Sequence, residues 1–432
     1  MKVLTSIAII VLVCSCASVG PQAFSGIDDA LNRGDYRAGA ALLERNRSSY
    51  YRNNDTLLYY LDRGMLEHYA GNYAESASLL QNAERSIENA FTKSISMEIS
   101  SYIINDTVKE YDGEDYEDIY INAFNALSYY HSNSMEKALV EIRRMSTKLE
   151  QLSVKYDGLI NNLQRSARDS EVDIPPDSYS GKEFNNSVFG RYLGMLFYRG
   201  AGRSDDARID STQLKRAFTN APHIYNFPLP SSINDELTIP AGMARLNVIG
   251  FAGLSPQKSE ETLRIPVSRS MNYVKIALPV MKKRRSEIAR IEVLLNNGTR
   301  FNLELLENIG DVAVETFRKK SHVIYLKSVM RAVIKGIGTE TLRKTAEQKG
   351  DTLSQVLSFG SQVFTELSEQ ADLRVSRYFP DKVYVGGCTV RPGTYFATIN
   401  YYSPGGRLIQ SESKTLNVQA QGLNLIESVC LR

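Results

Sequence analysis

Apolar residues recur at helical spacing through the first half of the chain and switch to strict alternation in the second. After the turn Gly71-Asn72-Tyr73, the residues Ala77, Leu80, Ala83 and Ile87 keep one helical face. Ala138, Ile142 and Met145 do the same after Asn133-Ser134-Met135. Residues 24–221 therefore read as a series of helix hairpins. Pro222, Pro228, Pro230 and Pro240, interspersed with Asn and Ser, then mark 222–240 as a linker. Beyond it Leu246, Val248 and Gly250 alternate with Asn247, Ile249 and Phe251. Ile291, Val293 and Leu295, the turn Asn296-Asn297-Gly298, and Phe301, Leu303 and Leu305 predict a β-hairpin. Further strands are expected over 382–390, 395–401, 408–418 and 423–430, with Pro404-Gly405-Gly406 turning the chain between two of them. Helical spacing returns within 309–375, first at Phe317, Ile324, Val329, Val333 and Ile337, then at Leu353, Val356, Leu357, Val363 and Leu367. The expected class is α+β and multidomain. A helical N-terminal domain precedes an antiparallel β-sandwich, whose two strand groups, 241–308 and 376–432, flank the helical insert.

The first residues have a different character. Lys2 precedes an apolar run from Val3 to Val13, too short to span the roughly 30 Å core of a bilayer as a helix. It ends in Val13-Cys14-Ser15-Cys16, which resembles the lipobox of bacterial lipoproteins. That resemblance implies that residues 1–15 are a signal peptide, that Cys16 carries the lipid, and that 16–23 is a tether. Ala17 follows the anchor, and in a two-membrane cell this implies sorting to the outer membrane. Multiple acyl chains anchor stably where one binds only marginally.

Three hairpin turns look alike: Asn32-Arg33-Gly34-Asp35-Tyr36, Tyr69-Ala70-Gly71-Asn72-Tyr73 and His131-Ser132-Asn133-Ser134-Met135. A fourth, degenerate copy runs from Tyr192-Leu193-Gly194 through Gly200 and Gly202 to Ala207. They resemble tetratricopeptide repeats. In the second copy Gly64, Gly71, Tyr73, Leu80 and Ala83 fall at the repeat's offsets, with Ser76 where Ala is usual. The step from Gly34 to Gly71 is 37 residues, against about 34 in that repeat. Gly113 to Met145, Tyr192 to Ala207, Ile276 to Pro279, Glu369 to Arg374 and Pro392 to Tyr395 further resemble a family of bacterial tetratricopeptide lipoproteins. The resemblance covers most of the mature chain. It implies an architecture and an address, and no established reaction.

Charge changes the picture little. Lys plus Arg number 51 against 49 Asp plus Glu, so no electrostatic footprint for nucleic acid is present. The acidic run Glu110–Asp118 lacks the alternating ligand pattern of a calcium loop and suits the N-terminus of a following helix. Lys282-Lys283-Arg284-Arg285 with Arg290, and Arg318-Lys319-Lys320, are basic clusters that could meet lipid headgroups or anionic glycan, or be solvated loops. His68, His131, His223 and His322 are isolated in sequence, with no His-Glu-x-x-His or Cys-x-x-Cys pair. No serine nucleophile elbow and no phosphate cradle occur. No cofactor or metal is expected, and no catalytic motif supports an enzyme. Beyond the N-terminus, Cys388 and Cys430 either form a disulfide or pack as two buried thiols.

Twenty-five tyrosines, many of them in the helical half, supply large amphipathic surfaces. In stacked hairpins the first helices line a concave face, where such arrays usually bind. Tyr60, Arg63, Glu67, Asn122 and Tyr129 lie on first helices and are the expected partner contacts. The expected function is a lipid-anchored, non-catalytic scaffold for envelope proteins. The alternative is a binder, or an enzyme, acting on cell-wall glycan or lipid through the C-terminal domain.

Overall fold

In the computed structural model the described residues are 21–96, 107, 109–152, 154–169, 184–266, 273–337 and 370–432. Cys16, the expected signal segment and residues 338–369 of the expected insert lie outside them.

Helices α1 (Ser25–Asn32) and α2 (Tyr36–Arg45) form the first hairpin, followed by the short α3 (Arg47–Tyr50). Helices α4 (Thr56–Tyr69) and α5 (Tyr73–Ser96) form the second, α6 (Asp115–His131) and α7 (Met135–Leu152) the third. After α8 (Asp157–Asp169), α9 (Val188–Gly200) and α10 (Ser204–Asn220) form the fourth. The second helix of each pair packs against the first helix of the next: α2 on α4, α5 on α6, α7 on α9. All four turns share one geometry. Gly34, Gly71, Asn133 and Gly202 take positive φ, and the next backbone N–H closes onto the carbonyl of Ala30, Glu67, Tyr129 or Tyr198 at 2.8–2.9 Å. Glycine adopts that conformation freely, and asparagine is its usual substitute. Gly64 serves packing instead, because a Cβ there would sit 2.8 Å from Leu80 Cδ2 at the α4–α5 crossing. The acidic run behaves as a cap: Glu114 and Glu117 form a capping box, and Asp115 and Asp118 share the first turn of α6.

The C-terminal half contains β1 (Ala244–Ala252), β2 (Gln257–Pro266), β3 (Tyr273–Lys282), β4 (Arg290–Leu295) and β5 (Arg300–Asn308). Then follow α11 (Ile309–Ile337), β6 (Lys382–Val390), β7 (Gly393–Tyr402), β8 (Leu408–Val418) and β9 (Asn424–Cys430). The α+β class holds, but the strands do not form the expected antiparallel sandwich. Seven of them make one sheet in the order β8-β7-β4-β5-β6-β1-β9. It is mixed, since β1 pairs antiparallel with β6 and parallel with β9. Its edges approach each other, with Gln410 Nε2 donating to Val429 O at 2.8 Å and Ser428 Oγ to Glu412 at 2.6 Å. The sheet is thus almost a barrel. Curling lets one sheet bury its own inner face, so no second sheet is required. Leu246, Val248, Ile291, Val293, Leu303, Ile399, Tyr401 and Ile426 fill the interior. The hairpin at Asn296–Gly298 forms as expected, with Ile291 opposite Leu303 and Val293 opposite Phe301. β2 and β3 pair only with each other as a separate ribbon, and α11 packs along β3. Alternation had not marked this ribbon.

β1 is buried along its whole length. Leu246 and Val248 face the barrel, while Ile249 and Phe251 join the core of the helices. That second core runs from Phe24 of the helical half to Leu431, so the two halves share one interior. The expected linker is part of it: Ile224, Tyr225, Ile233 and Glu236 are all buried. Its prolines end regular structure without freeing the chain. Among the described residues no helix is long and apolar enough to cross a membrane.

Candidate functional site

The first helices α4, α6 and α9 line a groove, and the groove is filled by the chain's own C-terminal half. Phe124 of α6 packs with ring centroids 5.2 Å from Phe251 of β1 and 5.8 Å from Phe379. Phe189 of α9 lies 5.9 Å from Phe251. Tyrosine hydroxyls reach across as well: Tyr36 donates to Val429 O at 3.0 Å, Tyr69 to Tyr378 O at 3.0 Å and Tyr130 to Leu423 O at 2.8 Å.

Buried carboxylates secure this seam, each with donors from the opposite half. Asp62 of α4 accepts from Tyr51 Oη at 2.8 Å, Ser376 Oγ at 2.8 Å and Arg377 N at 2.7 Å. Glu117 of α6 accepts from Ser376 N at 2.6 Å and from Tyr111 Oη and Glu114 N at 2.8 Å. Glu307 of β5 receives Tyr120, Ser187 Oγ at 2.7 Å, Tyr225 at 3.0 Å and Phe189 N at 2.9 Å, the last from the N-terminus of α9. Glu236 binds Arg199 of α9 together with Arg245 and Asn247 of β1. Burial pushes the carboxyls of Asp62 and Glu307 up, and that of Glu117 to about 7 with help from neighbouring Glu114. Unpaired charge would be costly here, and the multiple donors answer that cost.

Glu427 of β9 differs. One oxygen meets His68 Nε2 at 3.0 Å and the other His131 Nε2 at 2.5 Å. Burial opposes its charge, but the two imidazoles hold the carboxyl well below its ordinary range. His68 Nδ1 lies 2.8 Å from Ser128 Oγ, which makes a serine–histidine–carboxylate chain. This arrangement resembles a hydrolytic triad in connectivity alone. Ser128 is wholly buried, and the rings of Tyr69, Tyr73 and Phe124 pack around His68, so no substrate reaches Oγ. Among the described residues no group of three or more His, Cys, Asp or Glu is placed to hold a metal ion.

The expected contact residues do not line the groove. Asn122 is fully buried and donates to Glu84 of α5 at 2.9 Å and Glu141 of α7 at 2.7 Å. Arg63 pairs with Glu44 of α2 and with Glu67, and Asn72 Nδ2 donates to Glu67 at 2.5 Å. Tyr129 accepts from Gln81 of α5 at 2.5 Å, and Tyr60 is half-buried beside Tyr59. Arg63, Asn122 and Tyr129 thus reach α2, α5 and α7 and are spent on the joints between the helices. The groove face of the first helices carries Asp62, Tyr69, Glu117, Tyr120 and Phe124 instead. His68 and His131 stand in the last turns of consecutive first helices. Residues in the last turns of adjacent first helices become neighbours when hairpins stack, although His131 aligns with Tyr69 rather than with His68 in the turns.

Of the basic clusters, Arg284, Lys319 and Lys320 are tied into the fold, while Lys282, Lys283, Arg285, Arg290 and Arg318 stay exposed. Arg284 donates to Ser255 O and Arg377 O at 2.6 Å, and Arg290 stacks over Tyr402 at 3.9 Å. Lys283 pairs with Asp311, Lys319 with Asp157 at 3.0 Å, and Lys320 with Asp112 at 2.8 Å. Cys388 and Cys430 are free thiols. Cys388 pairs with Leu246 on one side of β1 and Cys430 with Ala252 on the other. Six residues of strand, about 20 Å, separate these positions, far beyond disulfide reach.

No protein-family model, no curated protein and no solved structure matches this chain.

Proposed function

We propose that this chain is a lipid-anchored, non-catalytic scaffold of the bacterial envelope, held at the outer membrane through Cys16. Its helical half acts as a tetratricopeptide-like array. The carrying observation is the filled groove: with the concave face occupied in cis, partner proteins dock on the outward crease of the hairpins. That crease carries a largely buried charged network, in which Glu84, Glu88 and Glu141 surround Arg144 and Lys148 bridges Glu84 and Asp118 at 2.6 Å, with Arg144 and Glu88 as its exposed members. The α2–α4 crease repeats the theme with Glu44, Arg63 and Glu67. Networks of this kind confer orientation and specificity in protein contacts more than raw affinity. The buried serine–histidine–carboxylate chain supports the same reading, because it is spent on joining the halves.

Two measurements test the proposal. Radiolabelled palmitate is expected on the wild-type chain and absent from Cys16→Ser. Charge reversal at Arg144→Glu is expected to remove a co-purifying envelope protein and, by setting a like charge beside the buried Glu84 and Glu141, to lower the melt as well. Retention of every partner by Arg144→Glu and Arg63→Glu together would refute docking at the crease.

A further inference from the structure

Between the ribbon and α11 lies a groove of about 370 Å³, and none of the seam carboxylates lines it. Its volume falls within the roughly 300–1,000 Å³ of small-molecule sites. Leu278 and Val280 of β3 form one wall and are only half-buried, although their neighbours Ala277 and Met281 are fully buried. Val314, Phe317 and Ile324 form the other wall as a stripe along one face of α11. Apolar side chains are thus left partly in water on both sides of an elongated trough.

The rim is polar on one side, where Arg318, Ser321 and His322 occupy adjacent turns of the same helix. Among the described lining residues, Arg318 is the one that is permanently charged. Its side chain is 59% exposed and rests on Glu315 at 3.0 Å, so it can swing toward the trough. Three neighbouring lysines have other partners: Lys282 reaches Glu261 at 3.7 Å, Lys283 pairs with Asp311, and Lys320 faces α6.

We propose that this groove binds an unesterified long-chain fatty acid, with the acyl chain between β3 and α11 and the carboxylate on Arg318. An apolar trough ended by a single guanidinium complements a chain with one negative charge. A phospholipid headgroup calls for several clustered cations, and among the described lining residues Arg318 is the one such group. The site is independent of the scaffold reading and stands or falls separately.

The test titrates cis-parinaric acid into the purified full chain carrying Cys16→Ser, so that the protein's own acyl groups do not compete. Saturable binding at one site, displaced by palmitate, is expected. Val314→Glu is expected to weaken it about tenfold or more, the equivalent of at least about 1.4 kcal/mol. Arg318→Ala, at an exposed position, is expected to weaken it several-fold while the variant still unfolds cooperatively, which keeps the test decisive if Val314→Glu fails to fold. Phosphatidylglycerol vesicles form a separate arm and are expected to leave the chain unbound on flotation. Absence of saturable binding would overturn the proposal. So would affinity unchanged by Arg318→Ala, or flotation with vesicles that palmitate does not prevent.

Discussion

Replacing Phe124 by alanine probes the joint between the two halves at its centre. The ring is fully buried and touches α4 through His68, α9 through Phe189, β1 through Phe251 and the residue pair before β6 through Phe379. Because these neighbours come from four separate elements, none can close the cavity without moving the others. The cost therefore belongs in the usual range for Phe→Ala in a core, about 3–5 kcal/mol. With a urea m value near the upper end of about 3 kcal/mol/M, the midpoint falls by about 1 M or slightly more. Two probes report the halves separately. Far-UV circular dichroism is dominated by the helices, and alkylation of Cys430, which is fully buried in the barrel, reports the sheet. A shared core predicts that both midpoints drop together and by the same amount. A helical transition that shifts while Cys430 protection keeps its wild-type midpoint would refute the shared interior.

Other perturbations read other parts of the account. Glu427→Gln removes the partner of two imidazoles and is expected to destabilise the fold by about 3–5 kcal/mol at neutral pH. Because the folded carboxyl is held below its ordinary value of 4.5, its contribution is present above that pH and is lost as pH falls. The gap in melting temperature between wild type and Glu427→Gln should accordingly narrow below that pH, and a constant gap would contradict the assignment. Burial pushes both thiols, Cys388 and Cys430, up to about 11, so peptide mapping should find them unalkylated at pH 8 in the native chain and alkylated in denaturant. Recovery of the two as one disulfide-linked peptide would contradict the strand register. Gly64→Ala places a methyl against Leu80 and is expected to cost about 1–3 kcal/mol by overpacking, measured by thermal melting.

Much of the fold was legible because its signals are local. The turns at Gly34, Gly71, Asn133 and Gly202 announce themselves by residue type, and β4, β5, β7 and β8 by alternation with a turn between them. What escaped depends on contacts distant in sequence. Nothing in Glu427 alone says that it meets His68, 359 residues away, nor in Glu307 that it caps α9. Curling of the sheet escaped for the same reason: alternation reveals that a strand has two faces, and β1 has both buried, but not what covers each. The ribbon's second strand, with Pro279 in its middle, carries a signal that demotes a strand assignment. The groove face was misassigned because Arg63, Glu67 and Asn122 look like solvent-facing polar residues until their carboxylate and amide partners on α2, α5 and α7 are in place. Their polarity serves helix–helix joints rather than a ligand.

The central claim is that the groove is occupied in cis and that partners meet the outward crease. It is tested most directly by in-cell photocrosslinking from paired positions. A photoreactive residue at Tyr60 or Tyr129 is expected to yield a recurrent envelope-protein adduct that disappears in Cys16→Ser. The same residue at Tyr69 or Tyr130 is expected to crosslink only within the chain, onto the segments around Tyr378 and Leu423. Foreign-protein adducts from Tyr69 or Tyr130, with none from Tyr60 or Tyr129, would contradict the account.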